Sequence, residues 1–442
     1  MKNMKKYSAV LLAAFLMVGM PEQTLAQTSD VYVWVSPQGD DAGEGSEEQP
    51  FATLEQALSH VRQMRGQVSN RDIGKVHIVM KGGTYQMNRT LRLTAADSGT
   101  PSSPTLVEAA AGETPIISGG VEVQGWQDAG TVAGLPAVAQ GRVWEAPLPE
   151  VDGQPARFRQ FWVNGQKMRR SSTLDDLSLP RLISVNKEQG VLTVPRIEQE
   201  FSHPEKLEMT IIQDWTTNTL RVKTLTNDDK RSRLTFLNPE SEIEFKRPWP
   251  ILRADEGSYS NHMFYLSNAI ELLDHPQEWF GDSASGKLYY WPRSGETHAS
   301  VQAVAPVLET LIQIEGSKAE KVSNLVFSGI TFEHTTWLRP AEMGHVGLQA
   351  GQYLFDAYSD ESAPGGNVAW VGRPKSAVSV TDARNVSFEN CQFRHIGATA
   401  LDFVSGTKQM TVRGCTFSDI KNSAIRDFSD VYGEYRTAPN SY

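Results

Sequence analysis

The chain has 442 residues, 39% of them apolar and 21% charged, with a formal net charge of −10. That length and apolar content suffice for a large core and more than one structural unit. The acidic balance argues against nucleic acid and anionic lipid surfaces as partners, and Cys391 and Cys415 alone rule out a disulfide framework.

The first 26 residues read as a secretory signal. Lys2, Lys5 and Lys6 precede an apolar run from Ala9 to Met20, followed by Pro21 and the small-residue site Thr24-Leu-Ala26. The run is too short to remain as a membrane anchor, so the expectation is an exported, periplasmic or secreted protein with no membrane insertion after cleavage. This leader carries three Lys and one Glu, which leaves the mature chain at −12.

Residues 27–120 read as an N-terminal cap followed by the first coils of a repeat. Val31-Tyr-Val-Trp-Val35 is a strand, and the acidic loop from Asp40 to Glu48 is expected to be a solvated surface, since it lacks the spacing of a calcium loop. Leu54, Ala57, Leu58, Val61 and Met64 follow helical spacing, with Thr53 and Gln56 as a capping-box pair at the start. Strands follow at Val76, Leu91, Thr105 and Pro115. Between 121 and 304 the short spacing disappears, and Trp, Pro and long polar stretches indicate an inserted β-rich domain. In it, Asn164-Gly165 marks a hairpin, and Trp215, Trp249, Trp279 and Trp291 are expected to be packing residues.

From 305 to 442 one pattern is written three times: Leu325-Val-Phe-Ser-Gly-Ile-Thr-Phe332, Val386-Ser-Phe-Glu-Asn-Cys-Gln-Phe393 and Met410-Thr-Val-Arg-Gly-Cys-Thr-Phe417. Phe393 and Phe417 stand 24 positions apart, the period of a solenoid. Stacked, the copies make apolar columns, of which Phe332, Phe393 and Phe417 form one. Gly329, Asn390 and Gly414 mark a common corner, while Glu389 meets Arg413 and Glu333 meets Arg394 on the outer face. The fold expected is all-β: a right-handed parallel β-helix with an N-terminal capping helix and an inserted β-rich domain. Phe332 and Phe393 are 61 positions apart, so the segment around Arg339 to Pro374 holds a long loop, with room for part of another coil. Residues after Phe428 carry no closing element, and the expectation is that the sequence is the N-terminal part of a longer, C-terminally truncated protein.

Cys391 and Cys415 share a column with Ile330, a core-filling position, so they are expected to be buried free thiols. With no His at ligand spacing they make no zinc site, and neither metal nor cofactor is expected. His334, His395 and Asp419 share one register just after the Phe column. Adjacent imidazoles and a carboxylate there suit holding a sugar hydroxyl or moving a proton, or else form a corner stack bonded to backbone. Trp337, with Tyr353, is a candidate sugar-stacking platform. Asp402 is placed for the outer face, where it stacks on Arg426 at 24 residues as an ion pair.

Several stretches resemble a known family: Val35-Ser-Pro-Gln-Gly-Asp40 through Pro50-Phe-Ala-Thr-Leu54, Lys81-Gly-Gly-Thr-Tyr85, Asp97-Ser-Gly99, Pro115-Ile-Ile-Ser-Gly119, Phe161-Trp-Val-Asn-Gly165, Glu278-Trp-Phe280, Gly286-Lys-Leu-Tyr-Tyr-Trp-Pro292 and Phe332-Glu-His-Thr-Thr-Trp337. Together they look like glycoside hydrolase family 141, secreted β-helix enzymes with an inserted β domain. The opening motif is common to many β-helix proteins, whereas the Trp-Val-Asn-Gly and Leu-Tyr-Tyr-Trp-Pro stretches are more specific. The resemblance implies action on plant cell-wall glycans, such as α-L-fucosyl linkages of complex pectin or xylan, with a polysaccharide or oligosaccharide as substrate. It places the catalytic carboxylates on coils beyond residue 442, leaving the catalytic residues of this chain unassigned. Two alternatives stay open: a polysaccharide lyase on the same scaffold, for which no acid cluster at coil spacing holds calcium, and a non-catalytic carbohydrate-binding protein.

Overall fold

The computed structural model describes residues 29–67, 73–174, 178–255, 260–348, 351–354 and 371–427; the expected leader and the tail after Asp427 lie outside the described residues. The chain is mostly β. Three parallel sheets carry its frame. The first stacks Val31–Val35, Val76–Met80, Thr105–Ala109, Val322–Ser328, Ala383–Glu389 and Thr411–Arg413. The second stacks Gly83–Gln86, Pro115–Ser118, Thr331–Glu333, Gln392–Ile396 and Thr416–Ile420; the third stacks Leu91–Leu93, Ile312–Glu315, Ser376–Thr381, Thr399–Ser405 and Ile425–Asp427. The chain visits first, second and third sheet in that order, lap after lap.

Register follows the sequence columns. Leu325 pairs with Val386, Phe327 with Phe388 and Phe388 with Val412. Phe332 pairs with Phe393, and Phe393 with Phe417, the rings stacked at 4.8 and 5.0 Å between centroids. These rings fill one continuous core with the inward residues of all three sheets. Outside it, Arg413 Nη2 donates to Glu389 Oε2 at 2.7 Å, and Arg394 Nε donates to Glu333 Oε2 at 2.5 Å. Gly329, Asn390 and Gly414 all have positive φ, so the corner they form needs residues that tolerate the left-handed region. A further column, Asn324, Asn385 and Gln409, has positive φ too. There Asn385 Nδ2 donates to Asn324 Oδ1 at 2.6 Å, and Asn324 Nδ2 donates to the carbonyl of Gly99 at 3.0 Å.

At the N-terminal end the helix Leu54–Gln67 turns Leu54, Ala57, Leu58 and Val61 into the same core and covers the first lap. The capping box forms only in part. Thr53 Oγ1 accepts from the Gln56 amide at 3.2 Å, but the Thr53 amide donates to Asp41, not to Gln56. Asp41 also accepts from the Ala52 amide and the Thr53 hydroxyl, so this member of the acidic loop ties the helix entry instead of facing solvent. Both cysteines are free thiols. Burial pushes the Cys391 thiol up to about 12, whereas Cys415 is only partly covered.

Between Pro115–Ser118 and Ile312–Glu315 the chain builds mostly antiparallel sheets with hydrophobic clusters of their own, one around Leu192, Met209, Leu220 and Leu234 and another around Phe161, Trp279 and Tyr290. The Asn164-Gly165 turn has positive φ at both residues and closes a hairpin in which Trp162 faces Lys167. The long loop holds no part of another lap among the described residues, because Ile312–Glu315 pairs directly with Ser376–Thr381.

Candidate functional site

Both excursions leave the frame at one corner, between the second and third sheets on successive laps. On a lap without an excursion that corner is just Gly397 and Ala398. Being stacked, the two excursions meet. The amide of Thr219 donates to the carbonyl of His345 at 2.8 Å, and Val346 and Leu354 of the long loop enter the hydrophobic cluster of the inserted segment. Arg247 Nη1 donates to the carbonyl of Gly347 at 3.0 Å, closing the same contact.

The inserted segment is also pinned to the frame. His334, His395 and Asp419 each have positive φ. That bend favours Asn, Asp and His among non-glycine residues, which accounts for their recurrence at this register. The imidazoles stack at 5.2 Å, and the indole of Trp162 packs against both, at 5.3 and 5.5 Å. Trp162 Nε1 donates to Asp419 Oδ2 at 2.7 Å, Lys167 Nζ donates to Oδ1 at 3.2 Å, and His395 Nδ1 lies 3.0 Å from Oδ2. Burial opposes the charge on Asp419, but these donors outweigh it and hold the carboxyl down at about 2. Burial drives His334 down to about 3, with the His395 and Arg394 charges adding to it, so its ring is neutral and bonds Ser118 Oγ at 3.1 Å. This column is the seat of the Asn164-Gly165 hairpin.

Beside that seat lies a cleft of about 700 Å³ between the inserted segment, the long loop and the last described lap. Trp215 stands half exposed at its edge, in the turn between Glu208–Ile212 and Thr217–Asn227. Trp337 is buried in its floor, edge-on to His345 at 4.9 Å. Arg159 and Arg170 line the cleft and share the buried carboxylate of Glu208. Burial alone would raise that carboxyl, yet the two guanidiniums hold it below the usual carboxylate range. Burial, aided by the Arg339, Arg159 and Lys421 charges, lowers His345 to about 3, leaving a neutral ring whose Nδ1 has no hydrogen-bond partner. Lys421 closes the far side, with Asn422 beside it.

Of the five residues singled out from sequence, Trp337 alone lines this cleft. His334, His395 and Asp419 come together as expected, but beneath Trp162, away from the open space. Asp402 sits on the third sheet, 2% exposed, with Arg373 Nε at 3.6 Å and Arg426 Nη1 at 3.7 Å, the ion-pair arrangement. Burial raises its carboxyl, with the nearby Asp427 charge adding to the rise. Tyr353 offers no free face, since the Arg339 guanidinium lies 4.0 Å over its ring. Trp279 and Trp291 are packing residues, but Trp215 is not. Its position in a tight turn between two strands was the available signal. Arg159, Arg170 and Lys421 carry no local sequence mark.

Residues 141–293 match the model of the GH141 insertion domain. Among curated proteins none matches the chain. A solved structure described as a glycoside hydrolase is 37% identical over 87% of this chain, with a TM-score of 0.80. The chain spans 65% of that protein's length. The structure of XylC with xylose aligns over 89% of this chain and 64% of its own, at 10% identity and a TM-score of 0.31, too distant to bear on the argument. A segment matching the GH141 insertion domain, seated on a frame similar to that of a glycoside hydrolase, makes this a glycoside hydrolase family 141-like protein.

Proposed function

We propose that the cleft between the inserted segment and the three-sheet frame binds a plant cell-wall glycan, in a protein of glycoside hydrolase function acting on pectin side chains, α-L-fucosyl or xylan-type linkages. The observation that carries this reading is the cleft itself: about 700 Å³, with a half-exposed Trp215 at its edge and polar groups around it. Aromatic faces suit the apolar side of a pyranose, and the surrounding donors suit its hydroxyls. The same reading takes the winding as a right-handed parallel β-helix, divided at 27–120, 121–304 and 305–442, in an exported protein.

Among the described residues the only carboxylate lining the cleft is Asp214, and it is tied to Arg253. Hydrolysis needs two such groups roughly 5.5 Å apart for retention or about 6.5–9.5 Å apart for inversion. Asp214 therefore serves as a wall, and binding is the part of the reaction assigned to these residues.

Calorimetry of the full chain with pectin- and xylan-derived oligosaccharides tests the reading. Trp215→Ala should weaken binding about tenfold, a loss of about 1.4 kcal/mol, and leave the melting temperature unchanged because the side chain is exposed. Absence of binding to every such oligosaccharide overturns it. Products with reducing ends, without the near-ultraviolet absorbance of unsaturated sugars, separate hydrolysis from elimination.

A further inference from the structure

The charges in the cleft oppose those of the chain. The protein is −10 overall, yet Arg159, Lys167, Arg169, Arg170 and Lys421 line the cleft against Asp214 alone. Two of these five cations are matched one for one, Lys167 by Asp419 and Arg169 by Glu278, and Asp214 is itself taken up by Arg253. Two positive charges are left over among the described residues. One belongs to the Arg159 and Arg170 pair, which shares a single Glu208. The other is Lys421, whose ammonium has neither an ion pair nor a hydrogen bond there.

Resting on the glycan-binding reading above, we propose that this cleft selects an acidic glycan, and that Lys421 is the specificity-determining contact to the carboxylate of a uronic acid. Lys421 lies in the turn after Thr416–Ile420, where its amide donates to the Ile396 carbonyl at 3.1 Å, so the backbone fixes where the side chain starts. Crowding by protein lowers its pKa, the Lys167 and Arg159 charges lower it further and the Asp419 charge opposes them, while the residue itself stays exposed to solvent; an incoming anion there relieves the repulsion from the two neighbouring cations. His345, neutral and packed edge-on to Trp337, adds no charge to the cleft wall beside the cations. A neutral glycan leaves both surplus charges uncompensated in a partly desolvated site, which is the physical basis of discrimination.

The experiment compares four probes on the full chain by calorimetry: an oligogalacturonide, the same oligosaccharide with its carboxyls methyl-esterified, a sulfated oligosaccharide and a neutral xylo-oligosaccharide. The acid should bind at least tenfold tighter than its ester, and the ratio should shrink as salt rises. Lys421→Gln should bring the ratio close to one without changing the melting temperature, and Lys421→Arg should restore most of it. Equal binding of acid and ester, a ratio unchanged in Lys421→Gln, or tightest binding to the sulfated probe overturns the uronate assignment and leaves the glycan reading standing. Failure of all four probes to bind overturns both.

Discussion

Trp162 Nε1 and Asp419 Oδ2 meet at 2.7 Å across 257 positions of sequence. Asp419 gathers this donor, Lys167 and His395 at one corner of the frame, so a single carboxylate joins the inserted segment to the stacked laps. Asp419→Ala should therefore cost about 2 kcal/mol, the worth of hydrogen bonds to a charged group left without their acceptor. Chemical denaturation measures the loss, and an unchanged midpoint would show that the Trp162 ring contacts and the strand pairing hold the hairpin without these bonds.

The same carboxyl gives a pH dependence of known sign. Its folded value of about 2 lies below the ordinary 3.8, so the stability it contributes is fully present above about pH 4. That contribution fades as pH falls through about 2. Asp419→Asn should remove this part of the acid slope, read from denaturation midpoints between those limits.

Phe393 lies between Phe332 and Phe417 with its ring fully buried. Phe393→Ala opens a cavity enclosed by its stacked neighbours and should cost about 4 kcal/mol. Phe417, partly exposed, should cost less on the same change. Equal losses would show that the ladder is not stacked in this order.

The two thiols should differ in reactivity. In the native protein an alkylating reagent should modify Cys415 and spare Cys391, whose thiolate is suppressed by burial, and both should react after denaturation. Mass spectrometry counts the adducts. No adduct even in denaturant without reductant would reveal a disulfide.

Glu208 is flanked by Arg159 and Arg170 with its side chain 3% exposed. Glu208→Gln leaves two partly buried guanidiniums without a counter-charge and should destabilise by about 2 kcal/mol. A thermal shift within error of wild type would show that water or another acid compensates.

The frame was legible because its determinants are local and repeated. Residues on successive laps stack one period apart, so Phe393 and Phe417, or Glu389 and Arg413, declare their contact by spacing alone. The hairpin at Asn164-Gly165 was legible for a similar reason, since a two-residue turn demands positive φ at both positions. The seat at His334, His395 and Asp419 was half legible. Its register followed from the repeat, but its occupant came from Trp162 in another segment, which no spacing predicts. The cleft was not legible at all. Its walls come from residues near 160, 215, 345 and 421, brought together because two excursions leave successive laps at one corner and are forced to pack on each other. Thus the sequence by itself determined the column pairing, the corners and the free thiols. Tertiary structure alone decided which aromatic stands at the cleft edge, which histidines are sealed and where positive charge is left without a partner, because burial and net charge at a site depend on contacts between distant segments.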